Sequence, residues 1–179
     1  MRVLLGLFLL SWGLLGCQEK VPAYLDDKPV LPTGVDGVSD AAIMDMYQKL
    51  RIKRVRIITM GDRYLVSIPS RLLFANESPK IRWESYELLN DVVCYLQLFR
   101  KITVQVNAYA SCYRSNERTR ALTLARAKEV GNYLWSHNID ARMVFTEGLG
   151  DDKPIVAITK CSDESPNSRI EIVFKRVVA

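Results

Sequence analysis

The sequence is poor in the side chains that carry most enzyme chemistry. Its 179 residues include one histidine, His137, and four cysteines, which are not arranged in the closely spaced pairs that bind zinc. No serine or cysteine lies in a recognisable nucleophile motif, and no glycine-rich loop that would hold a nucleotide is present. We expect His137, near the end of a helix, to be a cap or surface residue rather than a general base. These absences predict a protein that is not an enzyme and that binds neither a metal nor a cofactor.

A strong excess of one charge is also lacking. The 25 Lys and Arg residues are nearly balanced by 20 Asp and Glu residues, and Arg51, Lys53, Arg54 and Arg56 form one basic cluster. Nucleic-acid-binding proteins usually concentrate basic residues on one face and interleave them with aromatic residues, so we expect no nucleic-acid partner. The cluster either faces an acidic partner or a phospholipid surface, or it is an ordinary solvated face.

The N-terminal apolar segment, Val3 to Leu15, is too short to span a membrane comfortably. It follows Arg2 and ends at Gly16-Cys17, which is the pattern of a bacterial lipoprotein signal. We expect residues 1–16 to be cleaved and Cys17 to be acylated; an ordinary signal peptide that happens to contain a cysteine is the alternative. Gln18 stands where an Asp would favour retention in the inner membrane. The sequence therefore predicts a lipid anchor in the outer membrane, with the protein facing the periplasm.

The rest of the chain divides into a tether and one domain. Residues 17–39 contain several Pro and Gly residues and show no helical or alternating apolar period, so we expect an extended tether. Residues 40–179 have the length of a single globular domain. Their apolar periodicity predicts helices over about 40–50, 82–100 and 116–136, and strands over about 55–59, 64–68, 102–108, 142–147 and 169–176. This order favours an α+β fold with helices packed on one face of a mixed sheet.

Several short motifs between residues 63 and 176 resemble those of the OmpA-like, peptidoglycan-binding domain of OmpA, Pal and flagellar stator proteins. They are Phe74-Ala75 before the first main helix, Arg126-Ala127 in the second, Gly148-Leu149-Gly150, and Asn167-x-Arg169 at the last strand. The resemblance implies two main helices on one face of a mixed sheet, and peptidoglycan as the ligand.

In that family an Asp after the central strand and an Arg in the following helix bind the diaminopimelate of the cell-wall peptide. A carboxylate suits the ligand's ammonium, and a guanidinium suits its carboxylate. Arg126 matches the family Arg, but the position of the Asp is occupied by Ser111. The candidate binding residues are therefore Arg126, Ser111, Tyr109 and Asn107. Alternatively, Arg126 only pairs with Glu129 or Asp152 at the surface.

The resemblance also bears on the remaining cysteines. It places Cys112 and Cys161 in two loops that border the same cleft, which implies a disulfide between them in the exported compartment; two unpaired cysteines are the alternative. Cys94, on the first main helix, is expected to be a small buried apolar residue.

This chain combines a lipoprotein signal, a short tether and an altered binding loop at Ser111-Cys112. In this combination it resembles the lipoprotein subunits of Dot/Icm type IVB secretion systems. That resemblance implies a structural subunit of an outer-membrane core complex through which effector proteins are exported. Its partners would be other core subunits and the outer membrane. The alternative is a Pal-like lipoprotein that tethers the outer membrane to peptidoglycan.

Overall fold

The computed structural model describes residues 40–111, 115–157 and 162–177. The expected signal peptide, the acylated Cys17, the tether and the Cys112–Cys161 disulfide lie outside the described residues. Within them the chain forms α1 (Asp40–Ile52), β1 (Arg56–Met60), β2 (Arg63–Pro69), α2 (Tyr86–Gln97), β3 (Thr103–Tyr109), α3 (Asn116–Ser136), β4 (Met143–Gly150) and β5 (Arg169–Lys175). None of these helices is long and apolar enough to cross a membrane.

The five strands form one mixed sheet in the order β1-β2-β5-β3-β4. β3 and β4 are parallel, and all other neighbours are antiparallel. Parallel neighbours need a long crossover, which α3 supplies by packing against both strands. The last strand, β5, lies at the centre of the sheet between β2 and β3. The predicted α+β fold with helices on one face of a mixed sheet is confirmed.

Side-chain alternation along the strands gives the sheet two different faces. One face carries fully buried residues that form the core with the helices, among them Val66, Ile68, Val104, Val106, Ile170 and Ile172. The other face, which we call the open face, is turned away from the helices. One row of residues lies in register across it, strand by strand: Ile58, Leu65, Val173, Gln105 and Phe145.

β4 is longer than the predicted strand over 142–147. It continues through Gly148-Leu149-Gly150, which the sequence analysis leaves outside any strand. A Cβ atom on Gly148 would lie 2.2 Å from the backbone nitrogen of Leu124 in α3, so a larger residue would push the helix away. Close packing of α3 on the sheet therefore explains the glycine that local sequence rules assign to a turn.

α2 is shorter than predicted, because residues Trp83–Ser85 form a 3₁₀ turn in front of it. The hydroxyl of Ser85 donates to the carbonyl of Leu72 at 2.7 Å and does not cap the helix. α3 has the predicted bounds. The hydroxyl of Ser115 caps its start by accepting from the backbone N–H of Arg118 at 3.3 Å.

Cys94 is exposed, and the prediction that it is buried is wrong. The apolar stripe of α2 contains Leu89, Val93 and Leu96, all buried. Cys94 follows Val93 directly and so turns about 100° away from that stripe. It shares its side of the helix with Asn90 and Gln97, which are also exposed.

Candidate functional site

Arg126, in the middle of α3, has no exposed surface and is the largest fully buried side chain among the described residues. Its Nη1 donates to Oδ1 of Asp163 at 2.6 Å, and its Nη2 to Oδ2 of Asp163 at 2.8 Å. Nε donates to the carbonyl of Ser78 at 2.9 Å, and Nη2 also to that of Ala75 at 3.3 Å. Its Cζ lies 4.9 Å from the ring centroid of Phe74. The guanidinium is therefore enclosed by acceptors and one aromatic ring.

Asp163 comes from the segment that precedes β5, and its side chain is only 6% exposed. Its Oδ2 also accepts from the backbone N–H of Glu77 at 3.1 Å. The same segment is tied to the end of β3 through Ser168. That hydroxyl donates to the carbonyl of Ser162 at 2.9 Å and accepts from the backbone N–H of Ser111 at 2.8 Å. The backbone N–H of Glu77 thus contacts the carboxylate directly, and Ser168 anchors the segment that carries it.

The pair between Arg126 and Asp163 is bidentate, which is the strongest arrangement of a guanidinium and a carboxylate. Burying two charges costs several kcal/mol each unless geometry and further hydrogen bonds compensate, and here the two carbonyl contacts supply the latter. In this conformation the guanidinium presents no open side to a ligand.

The alternative pairing of Arg126 with Glu129 or Asp152 is wrong. Asp152 pairs with Arg120 instead, at 3.3 Å, and Glu129 is exposed on the outer side of α3. The sequence pointed to Glu129, three residues further along α3, and to Asp152, in the loop after β4, but not to Asp163. The one available signal was an acidic residue in the polar segment before the last strand, in a chain that has Ser111 where the resemblance implies an acid.

Tyr109 and Asn107 are not brought together with Arg126, because both lie on the open face of the sheet. The guanidinium of Arg169, their neighbour on β5, lies 4.0 Å from the ring centroid of Tyr109. Burial, together with the nearby Glu171 carboxylate, raises the pKa of Tyr109 to about 12. The Oδ1 atom of Asn107 is buried and has no hydrogen-bond partner among the described residues. Ser111, fully buried after β3, supplies no charge.

The single histidine of the sequence lies at a helix end. His137 is an exposed cap at the end of α3, and its Nδ1 lies 2.8 Å from the carbonyl of Tyr133. Among the described residues, no three His, Cys, Asp or Glu side chains come together as they would around a metal ion.

The profile of the OmpA family matches residues 73–168. This is more than half of the chain, and it includes every residue that contacts the guanidinium of Arg126. The chain belongs to the OmpA family. Members of this family are peptidoglycan-binding or structural domains rather than enzymes.

Two bacterial lipoproteins and one solved structure are similar to this OmpA-family chain. The probable lipoprotein YiaD of Escherichia coli is 25% identical over 141 residues, covering 79% of this chain and 64% of YiaD. The outer-membrane lipoprotein YfiB of Pseudomonas aeruginosa is 23% identical over 169 residues, covering 94% and 90%. The cell wall anchor of the type VI secretion system of P. aeruginosa superposes with a TM-score of 0.65 at 25% identity, covering 76% of this chain and 97% of that one. This chain thus spans a little under two thirds of YiaD.

Proposed function

We propose that this protein is an outer-membrane lipoprotein, anchored through Cys17, that serves as a structural subunit of the outer-membrane core complex of a type IVB secretion system. It resembles the DotK/IcmN lipoproteins of Dot/Icm systems in its short layout and its altered binding loop. Its domain faces the periplasm and docks on other core subunits, which together export effector proteins.

The internal pair of Arg126 with Asp163 is the observation that carries this proposal. A peptidoglycan ligand of the family type needs a free guanidinium for its carboxylate and an acid for its ammonium. Here a carboxylate of the chain itself occupies the guanidinium at 2.6 and 2.8 Å. Ser111 stands in place of the acid. Both halves of the ligand grip are therefore weakened, while the domain that carried them is intact.

The open face of the sheet supports docking on protein partners. The two edge strands expose large apolar side chains there: Ile58 is 49% exposed and Met60 53% on β1, and Met143 is 47% and Phe145 52% on β4. Large exposed apolar side chains that cluster at a sheet edge are typical of protein–protein contact sites.

The second candidate function is a Pal-like tether between the outer membrane and peptidoglycan. It is favoured by the similarity to a protein described as the cell wall anchor of a secretion system. For this function the Asp163 carboxylate would have to move away from Arg126 when the ligand binds. The ligand's contacts would then have to offset the free energy lost with a buried bidentate pair.

Two measurements on the full lipoprotein separate the candidates. The first is mild detergent extraction of the host membrane, followed by affinity capture of the tagged protein and mass spectrometry. The second is co-sedimentation of the same protein, purified in detergent, with peptidoglycan sacculi, with the P. aeruginosa cell wall anchor as the positive control. Wild-type protein is the right probe, because an Arg126→Ala variant would confuse lost binding with lost folding.

We expect capture to recover a stoichiometric set of secretion-core proteins. We also expect the protein to stay in the supernatant under conditions in which the control protein sediments. Co-sedimentation with sacculi, combined with capture that brings down no core proteins, would overturn the structural-subunit proposal and establish the tether.

A further inference from the structure

Five arginines from separate parts of the described chain converge on one cleft, which we call the arginine cleft. Its cavity has a volume of about 370 Å³, and its charged lining consists of Arg51, Arg54, Arg56, Arg71, Arg169 and Glu164. The first three belong to the basic cluster of the sequence, whereas Arg71 follows β2 and Arg169 begins β5. Folding thus converts a local run of basic residues into a concave site with one acid among five guanidiniums.

We propose that the arginine cleft binds an acidic polypeptide segment of a partner protein. Guanidiniums recognise carboxylates by paired, planar hydrogen bonds. Once Glu164 and Glu171, which pair with Arg71 and Arg169, are counted, an excess of three positive charges remains in a concavity, where the field of several like charges is concentrated. Val55, Pro69 and Ile155 also line the cleft, and they offer apolar contact to the stems of Glu side chains. This inference adds a binding site to the proposed function. It rests on that function only for which assembly the partner protein belongs to.

One carboxylate of the chain already uses the cleft in the expected manner. Oε2 of Glu164, which is 70% exposed, accepts from Nη1 of Arg71 at 2.9 Å. Arg169, which is 5% exposed, lies at the floor of the cleft. Its position is fixed, because its Nε donates to Oε1 of Glu171 at 2.7 Å and its Nη atoms donate to the carbonyls of Asn167 and Lys153. The three remaining guanidiniums belong to exposed residues at the mouth.

Arg54 lies just after the end of α1, at a position where the backbone conformation favours glycine. The N–H of Val55 donates to the carbonyl of Leu50, and the N–H of Arg54 to that of Arg51, both at 3.0 Å. This is the Schellman arrangement that ends a helix, and the residue at the Arg54 position adopts φ 65°. Glycine is usual there because it has no Cβ to strain. An arginine at this strained position, aimed at the cleft, indicates a use for its charge.

The position of Arg54 allows a test in which stability and binding change in opposite directions. The probe is a fluorescently labelled peptide of alternating Glu and Ala, with the Gln-Ala peptide as its uncharged control. We expect the Glu-Ala peptide to bind the full protein and to dissociate as salt is raised. In Arg54→Gly we expect affinity to fall about tenfold, the loss of one charge-assisted contact, while resistance to urea stays equal or rises.

Arg56→Gln is the second binding variant, because it leaves the helix end untouched. Arg100→Gln, an exposed arginine at the opposite end of the sheet, is the matched control and should bind like wild type. The proposal is overturned if the Glu-Ala peptide fails to bind at low salt, or if both cleft variants bind it normally. It is also overturned if vesicles containing phosphatidylglycerol bind with the same dependence on Arg54 while the peptide does not. None of these results changes the outcome of the capture and sacculus experiments.

Discussion

At the scale of single residues, Arg126 is a fully buried side chain whose charge is matched by a carboxylate of the same protein. The family resemblance implies a ligand contact at this position, and in the structure the guanidinium is paired with the Asp163 carboxylate. Because the pair is bidentate and almost dry, each partner depends on the other: removing one leaves a buried charge without compensation. Stability, rather than ligand affinity, should therefore be the property most sensitive to Asp163.

Replacing Asp163 by Asn should lower the free energy of unfolding by about 3–5 kcal/mol, the usual cost of leaving a buried charge unpaired. The neighbouring Glu164→Gln is a matched control, since Glu164 makes only a surface pair with Arg71, and it should cost less than about 1 kcal/mol. Urea unfolding followed by circular dichroism measures both.

The double variant Arg126→Met, Asp163→Asn tests the cause. If Asp163→Asn is destabilising because it leaves the Arg126 charge buried without a counter-charge, replacing Arg126 as well should recover part of the lost free energy of unfolding, since no buried charge remains. A double variant that is less stable by the sum of the two single effects would show that the two side chains do not act as a pair.

The sequence predicted Arg126 as a special residue but not its partner. The apolar period predicted the helix over 116–136 with the correct bounds, but a helical period does not identify what its buried residues contact. Asp163 reaches Arg126 only because β5 inserts between β2 and β3 and brings the preceding segment over the helix. Contacts of this kind depend on the order of strands, which local patterns do not encode. The same holds for Gly148, whose role is set by its neighbour Leu124.

At the scale of elements, α1 is held to the domain largely through α2. Leu50 of α1 is fully buried, while Nζ of Lys49 and Nζ of Lys53 lie 2.6 and 2.7 Å from the two oxygens of Asp91 in α2. Lys53 also contacts Glu87 at 2.5 Å. Burial acts to raise the pKa of Asp91, but the hydrogen bonds from both lysines outweigh it and hold the pKa below 3.8. The two helices are thus joined by an ionic network in which two of the three pairs need an ionised Asp91.

This network should make part of the free energy of unfolding depend on pH. The pKa of Asp91 is lowered by folding, so its contribution is fully present above the unfolded value of 3.8 and is lost as the pH falls through the lower folded value. Asp91→Asn should cost about 1 kcal/mol near neutral pH, because the lysines are partly exposed. Below pH 4 the difference between variant and wild type should shrink.

Urea unfolding at neutral pH and at several pH values below 4 measures this convergence. Asp45→Asn, an exposed acid on α1 for which no ion pair is observed, serves as the control and should leave the pH dependence unchanged. A difference between Asp91→Asn and wild type that stays constant down to low pH would contradict the ionic origin of the α1–α2 contact.

At the scale of the whole molecule, the two faces of the sheet differ in what they offer to a partner. The helices cover one face of the sheet, and the open face remains available with its row Ile58, Leu65, Val173, Gln105 and Phe145. Ser67 and Arg169, which line the arginine cleft, lie on that same face. Exposed apolar side chains and part of the arginine cleft therefore lie on the same side of the sheet, which suits a partner that brings an acidic segment beside an apolar one.

The apolar row gives a prediction about assembly that is independent of folding. Ile58→Ser and Phe145→Ser should each reduce recovery of secretion-core proteins with the captured lipoprotein, because they remove half-exposed apolar surface from opposite edges of the open face. Each should lower the free energy of unfolding by less than about 1 kcal/mol, the span of strand propensities. Trp83→Ser is the control: Trp83 is 78% exposed but lies before α2, outside the sheet, and its replacement should leave recovery unchanged. Equal loss of recovery in all three variants would mean that general surface hydrophobicity drives the association, whereas full recovery in both sheet variants would place the partners on another surface.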